Sequence, residues 1–454
     1  MRFGLVLVLA ALGAAAADWP GFRGANGAGV ATDSLAYPVR FRTVWKAAVP
    51  EGLSSPVVVG SRVFVTGLTG NSFVLVALDR ASGNPLWRKT VERKRAETLH
   101  KLNHSASPTV ACDGSTVVAF FPDFGLVAYT VAGVELWRTP MGPFKNAYGM
   151  GVSPVIAEGR VVLIVDQSIG SYAAAFSLAN GEQVWKVARK EALSGHSTPV
   201  VHGKWVLAPG SLRMEAYEIA TGRVAWGVDG LPAEMKSVPV VHGDLVLVHG
   251  FNTPENDAGK LLQIPSFAEA LKGFDKNSDG VLSKAEAPTA HVTSSWTYLD
   301  LDSNGSLDQG EWEQYARTMR AENALLAYKI GGGLAWKFLR SIPQLPSPLV
   351  YQGVLYMINE GGVLTTLNAS TGKLFKQARL RGEADKYYAS PVAADGKIYI
   401  TSHTGKVSVL KAGAEQELLA VNEVEEEVLA SPALVDGRVM IRTKGMVYCY
   451  GAAE

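Results

Sequence analysis

A chain of 454 residues with 43 basic and 42 acidic side chains has a net charge of +1, so it presents no field of one sign to gather nucleic acid or anionic lipid. Hydrophobic residues at 47% and charged residues at 19% exclude a disordered chain and supply a large core. The length exceeds one ordinary domain, yet closed all-β rings reach it as a single unit, so pattern has to decide the division.

The chain opens with one positive charge in Met1-Arg2-Phe3, an apolar run from Gly4 to Leu12 and small residues at Ala14 to Ala17 before Asp18. This reads as a secretory signal peptide over residues 1–17. The run is far shorter than the roughly 20 apolar residues of a membrane span, and no second candidate follows. No cysteine follows the small residues to carry a lipid, so the expectation is an exported, single-chain protein of the periplasm or extracellular space. Cys112 and Cys449 are too far apart in sequence for a metal or redox pair and read as two buried thiols. A disulfide between them stays open, because separation along the chain says nothing of distance in a ring.

From Ser55-Pro56 onward one unit recurs: a small residue, proline, a β-rich run, a glycine turn and a second β-rich run. It returns at Ser107-Pro108, Ser153-Pro154, Thr198-Pro199, Val238-Pro239, Ser347-Pro348, Ser390-Pro391 and Ser431-Pro432. The second half of a unit is a strand, a turn with Gly and a strand ending in an aromatic residue, as at Trp87, Trp137, Trp185, Trp226, Trp336 and Phe375. Two hairpins make a four-stranded blade, and repeats of this length predict an all-β fold, an eight-bladed β-propeller. The eighth copy lacks its outer strand, and Phe41 to Lys46 has the composition to supply it and close the ring. The tryptophans read as packing between blades.

The repeated prolines lie 40 to 52 residues apart except Pro239 and Pro348, which are 109 apart. An insert therefore interrupts the fifth blade between its hairpins, dividing the chain into a propeller over 18–250 and 325–454 and an inserted module over 251–324. Within the module, Asp275, Asn277, Asp279, Val281, Ser283 and Glu286 fall at positions 1, 3, 5, 7, 9 and 12 of a 12-residue loop, and Asp300, Asp302, Asn304, Ser306, Asp308 and Glu311 repeat the series. Calcium takes six to eight oxygen ligands, and this spacing wraps them around one ion: Val281 and Ser306 through backbone carbonyls, Glu286 and Glu311 through both carboxylate oxygens, with Gly280 and Gly305 making the turn. Both loops resemble an EF-hand pair. Only 13 residues separate them, less than a sensor pair uses, which points to a structural calcium site. Apolar spacing predicts a helix at Ser266 to Phe274 and another at Glu311 to Leu326.

Ala77-Leu78-Asp79-Arg80-Ala81-Ser82-Gly83 with Trp87, and Thr366-Leu367-Asn368-Ala369-Ser370-Thr371-Gly372, resemble the repeat of pyrroloquinoline-quinone-type β-propellers. The opening Asp18-Trp19-Pro20-Gly21-Phe22-Arg23-Gly24 is similar to that of exported, largely uncharacterised members. The resemblance implies a central channel whose mouth is lined by residues just before each repeated proline: Asn103, His104, Tyr148, His196, Lys236 and Tyr388. Of these, His104, His196 and Lys236 are the candidates for an anionic ligand or quinone, against the plainer reading of a wet polar lining.

Three functions follow as expectations. The first is a non-enzymatic binding scaffold that holds calcium as a structural ion and binds another protein or a cell-envelope component. The second, implied by the resemblance, is an alcohol or sugar oxidoreductase using pyrroloquinoline quinone. It is weakened because such enzymes carry adjacent cysteines over the cofactor, whereas here the two cysteines are single and distant. The third, also by resemblance, is an outer-membrane protein assembly factor. No catalytic nucleophile, base or carboxylate stands out.

Overall fold

The computed structural model describes residues 17–190, 192–380 and 385–453, so the expected signal peptide lies, apart from Ala17, outside the described residues. Among the described residues eight antiparallel sheets of four strands form the ring. Blade 1 runs from Val57 to Glu92, blade 2 from Ala111 to Pro140, blade 3 from Val155 to Ala188 and blade 4 from Val200 to Asp229. Blade 5 spans Val240 to Phe338, blade 6 Leu349 to Arg379 and blade 7 Val392 to Glu423. Blade 8 joins Ala433–Val435, Arg438–Arg442 and Met446–Ala452 to Phe41–Ala48, with Phe41 opposite Ala452 and Ala48 opposite Met446. The outer strand missing from the eighth copy is thus supplied by the N-terminal side of the chain.

Two contacts recur at the blade junctions. On the outside, the tryptophan of one blade lies on the turn glycine of the next: Trp45 on Gly83, Trp87 on Gly133, Trp137 on Gly181, Trp185 on Gly222 and Trp336 on Gly372. A Cβ at Gly83 would sit 2.5 Å from the Trp45 ring, and Gly83 has φ of +75°, so no other residue fits there. Trp45, Trp87, Trp137 and Trp185 also donate their indole N–H to carbonyls of the neighbouring blade, at Arg80, Val131, Leu178 and Ile219.

On the inside, a hydroxyl at the head of seven of the eight inner strands accepts the backbone N–H of its neighbour. Ser431 donates to Ser55 Oγ, Ser55 to Thr109 Oγ1, Thr109 to Ser153 Oγ and Ser153 to Thr198 Oγ1, at 2.9–3.1 Å. The series resumes with Val238 to Ser347 Oγ, Ser347 to Ser390 Oγ and Ser390 to Ser431 Oγ. These groups are buried, so each bond satisfies a backbone donor that would otherwise stand alone.

Blade 2 corrects the sequence register. Its hydroxyl is Thr109, and Cys112 pairs with Val117 as Val58 pairs with Val63 in blade 1. Ser107-Pro108 therefore sits two residues ahead of the equivalent position, because the structural requirement is the hydroxyl and not the proline. Cys112 and Cys449 are separate buried thiols. Burial pushes the Cys112 thiol up to about 12 and the Cys449 thiol up to about 11.

The segment ahead of the ring runs through its interior. Trp19 and Val58 exchange backbone hydrogen bonds, Pro20 O accepts from Cys112 N, and the Asn26 amide bonds both N–H and C=O of Val201. Gly29 O and Ala31 N bond Ala393, and Arg23 Nη2 donates to Pro348 O at 2.7 Å. Five inner strands are thereby tied to one stretch of chain. Arg23 is fully buried, and burial holds its guanidinium down at about 9.

Beside Arg23, His249 of blade 5 is also fully buried, with Nε2 2.8 Å from Pro346 O. Burial first, then Arg23, pushes it from 6.5 down to about 4.

Replacing Ser390 with Ala removes the acceptor of the Ser347 N–H, and urea unfolding is expected to lose about 1–3 kcal/mol; a loss no larger than that of an exposed Ser→Ala would refute this role. His249 gives a second expectation. Its folded value is depressed, so its contribution is present above 6.5 and drains as pH falls from 6.5 towards about 4. Stability measured between about pH 7 and 5 should fall less steeply in His249→Asn, by at most about 1.4 kcal/mol per pH unit; parallel slopes would show that His249 is not held neutral.

Candidate metal centre and capped channel mouth

The insert joins the second and third strands of blade 5, Leu245–Gly250 and Ala324–Lys329, which remain paired across it. Its root is knitted by three asparagines. Asn252 N donates to Asn323 Oδ1, Asn323 Nδ2 to Thr253 O, and Asn256 Nδ2 to Thr318 O and Ala321 O. Four short helices follow: α1 Phe267–Phe274, α2 Ala290–Ser294, α3 Trp296–Leu299 and α4 Gln309–Arg320. The helix expected to continue to Leu326 stops at Arg320, because Ala324 must already be in register with Gly250. A core of Leu282, Leu299, Leu307, Trp312, Tyr315 and Met319 belongs to the insert itself.

Both polar loops have the same internal geometry. Asp275 accepts the N–H groups of Ser278 and Gly280, and Asp300 those of Asn304 and Gly305. Glu286 reaches back to Lys276 N and Glu311 to Leu301 N, so position 12 closes each loop over its start. Leu282 pairs with Leu307 and Ser283 with Ser306, setting the loops side by side.

In the second loop one carboxylate oxygen from each of Asp300, Asp302 and Glu311 lies within 4.8 Å of the others. Among the described residues this is the one such acidic cluster. In the first loop Asp279 Oδ1 turns to Val281 N, and Asn277 Nδ2 donates to Asp279 Oδ2 at 2.8 Å. Hydrogen bonds from Ser283 and Lys276 hold Glu286 down at about 2, while burial raises Glu311. An all-oxygen donor set of this kind suits a hard divalent cation.

The channel-mouth candidates divide. His196 and Lys236 come together around Tyr148, whose ring meets His196 edge-on at 5.9 Å and lies 5.6 Å from Lys236 Nζ. Tyr148 OH donates to Glu234 Oε1 at 2.8 Å, and Lys236 Nζ pairs with the other oxygen of that carboxylate. Burial first, then Lys236, pushes His196 down to about 3. Asn103 also belongs to this group, donating to Tyr148 O. His104 stands apart with its Nδ1 accepting from Ala106 N, and Tyr388 packs against His403.

The insert covers this mouth. Tyr298 of α3 stacks on Tyr148 with ring centroids 5.3 Å apart and planes 25° off parallel. Between ring and insert lies a cavity of about 450 Å³, reached from the ring by His196, Glu234 and Leu345, from the insert by Tyr298, Glu311 and Gln314, and from the interior segment by Phe22. Tyr298, Gln314 and Glu234 do not stand out in the sequence. Only Glu234 leaves a trace there, since Glu and Lys two apart on an extended stretch point the same way.

Residues 42–172 and 169–454 match a family model of pyrroloquinoline-quinone-like repeats described as outer membrane protein assembly factor BamB. The chain belongs to this repeat family. Outer membrane protein assembly factor BamB of Burkholderia pseudomallei (strain K96243) is 28% identical over 219 residues, 46% of this chain and 53% of that protein. The chain thus aligns with about half the length of that curated relative. BamB from Moraxella catarrhalis superposes with a TM-score of 0.60 at 13% identity, covering 90% of this chain and 97% of that one. A europium-containing methanol dehydrogenase does so with 0.61 at 10% identity, covering 96% and 98%. At such identities the two structures share the fold with this chain and nothing finer. Among the described residues no helix is long and apolar enough to cross a membrane.

The Tyr298–Tyr148 stack holds the cap over the channel mouth. Tyr298→Ala is expected to speed limited proteolysis within residues 251–324 while the ring stays resistant; unchanged cleavage would show that the stack does not hold the cap.

Proposed function

We propose that this chain is an exported, non-enzymatic member of its family in which a calcium-stapled insert caps one mouth of the ring, and that the rigid ring binds a protein of the cell envelope. The convergence of Asp300, Asp302 and Glu311 beside the paired loop is the observation that carries the metal part. In this reading Asp300, Asp302, Asn304 and Glu311 supply side-chain oxygens and Ser306 its carbonyl. The first loop supplies Asp275, Asn277, Asp279, Glu286 and the carbonyl of Val281, with Ser283 and Asp308 as ninth-position contacts. The tenth-residue reach of Glu286 and Glu311 places each beside the start of its own loop, where a bidentate ligand belongs.

The protein-binding part leans on the family, whose relatives are named as assembly factors of outer-membrane proteins. The quinone alternative finds less support. Pyrroloquinoline quinone carries three carboxyl groups, and among the described residues Lys236 is the one Lys or Arg lining the cavity, already paired with Glu234. Glu311 adds a second carboxylate to the lining. With His196 neutral, the lining does not fit a multiply charged anion.

Calcium calorimetry on the mature chain, with thermal unfolding, tests the metal reading. Saturable binding should stabilise the parent by about 2.7 kcal/mol per site at a hundredfold excess over Kd. Glu286→Gln combined with Glu311→Gln should abolish that gain and leave the ring's β-sheet spectrum intact. A calcium response equal to the parent's would sink the proposal.

A further inference from the structure

The cap hangs from blade 5 by its asparagine root and rests on the rim through Tyr298. Two carboxylates of the second loop stand where helices of the cap end and begin. Asp300 closes α3: its N–H donates to Trp296 O, and its Oδ2 accepts from the Trp296 indole at 3.2 Å. Glu311 opens α4, exchanging hydrogen bonds with Asp308. Tyr298 stands two residues before Asp300, and Leu299, Leu301 and Glu311 all line the cavity beneath. The first loop has no such attachment, since Asp275, Asn277, Asp279 and Glu286 lie away from that lining.

We infer that the second loop is a latch: an ion held by Asp300, Asp302 and Glu311 locks α3 against α4 over the channel mouth, and its release lets Tyr298 part from Tyr148 and opens the cavity. The latch rests on the calcium site proposed above. What it adds is control of access to the ring, exerted by one loop of the two.

Three carboxylate oxygens within 4.8 Å repel one another, and a divalent cation among them turns repulsion into attraction. Asp300 and Glu311 are buried, so salt and water screen them little. Without the ion, a shift of α3 away from α4 relieves the repulsion. It costs one aromatic stack, in which Tyr298 is still 45% exposed, so the ion can decide whether that contact is made. The rest of the insert keeps its core of Leu282, Leu307, Trp312 and Met319 and the pairing of its loops. No groove has to open between the loops for the mouth to be uncovered.

Ala147→Cys puts a thiol on the ring side of the cavity, and its rate of alkylation by a neutral maleimide reads access. Cys112 and Cys449 are buried, and the parent chain gives their background. In the full mature chain, labelling should be at least about tenfold slower in saturating calcium than in chelator. Adding Glu286→Gln should leave that protection in place at saturating calcium, whereas Glu311→Gln should remove it. Asp302→Asn, at an exposed ligand, should keep the protection but raise its calcium midpoint at least about tenfold. An insert that had merely unfolded would show no such rescue. Calorimetry on the same preparations separates the two readings: no calcium binding overturns both, and binding with equal labelling rates overturns the latch alone. Protection that survives Glu311→Gln at the parent's midpoint, or is lost in a Glu286→Gln chain whose second loop still binds calcium, would overturn it too.

Discussion

A serine or threonine hydroxyl held against the backbone N–H of the next inner strand is the interaction on which the ring depends. Inner strands of neighbouring blades share no ladder, so their facing backbone groups would be buried unpaired without it. Each bond is worth only about 1 kcal/mol net, yet the groups it satisfies recur at seven of the eight junctions and fix both spacing and tilt of the blades. The tryptophan on the outer strand repeats the same logic at larger radius. It fills the wedge that opens between diverging sheets, and glycine at the facing turn is what lets the indole approach.

The hydroxyl chain has a gap, and it falls where the fold departs from regularity. At the entry to blade 5 the position is Val238, and Ser197 instead bonds Ser237 O. Val238 is turned to pack on the interior segment, where a Cβ at Gly27 would lie 2.6 Å from it. The blade that gives up its hydroxyl to the chain inside the ring is also the one that carries the insert. Segment and insert thus approach the same region from two sides, Phe22 from within and Tyr298 from above, and the cavity is the space they leave.

Much of this was legible in the sequence. Eight repeats, the interruption in the fifth and the closing role of Phe41–Ala48 all follow from residues whose local chemistry is stereotyped: proline at a strand start, glycine at a turn, tryptophan on an outer strand. The loops of the insert were legible for the same reason. Reading failed where a residue's role depends on a distant partner. Pro108 drew the second repeat out of register because proline is conspicuous and the hydroxyl of Thr109 is not. His104 and His196 look equivalent along the chain, but only His196 faces the insert, since the blade that bears the cap decides which part of the rim is covered. Gln314 sits on an amphipathic helix among other polar residues, and nothing local marks it as part of the cavity lining.

The pairing of Phe41 with Ala452 has a kinetic consequence. These two residues are 411 apart, whereas strands within a blade, the interrupted fifth excepted, are joined by a few residues. Closing so long a loop costs about 4 kcal/mol more entropy than closing a hairpin, so this seam forms more readily once the other blades have folded and brought its two strands near. The ring should therefore zip from local hairpins and seal at blade 8 last, and the same seam should be the first to part when the molecule opens. Because the interior segment lies just ahead of Phe41, the strand that seals the circumference also draws that segment in, and closing the ring and filling its centre become a single event.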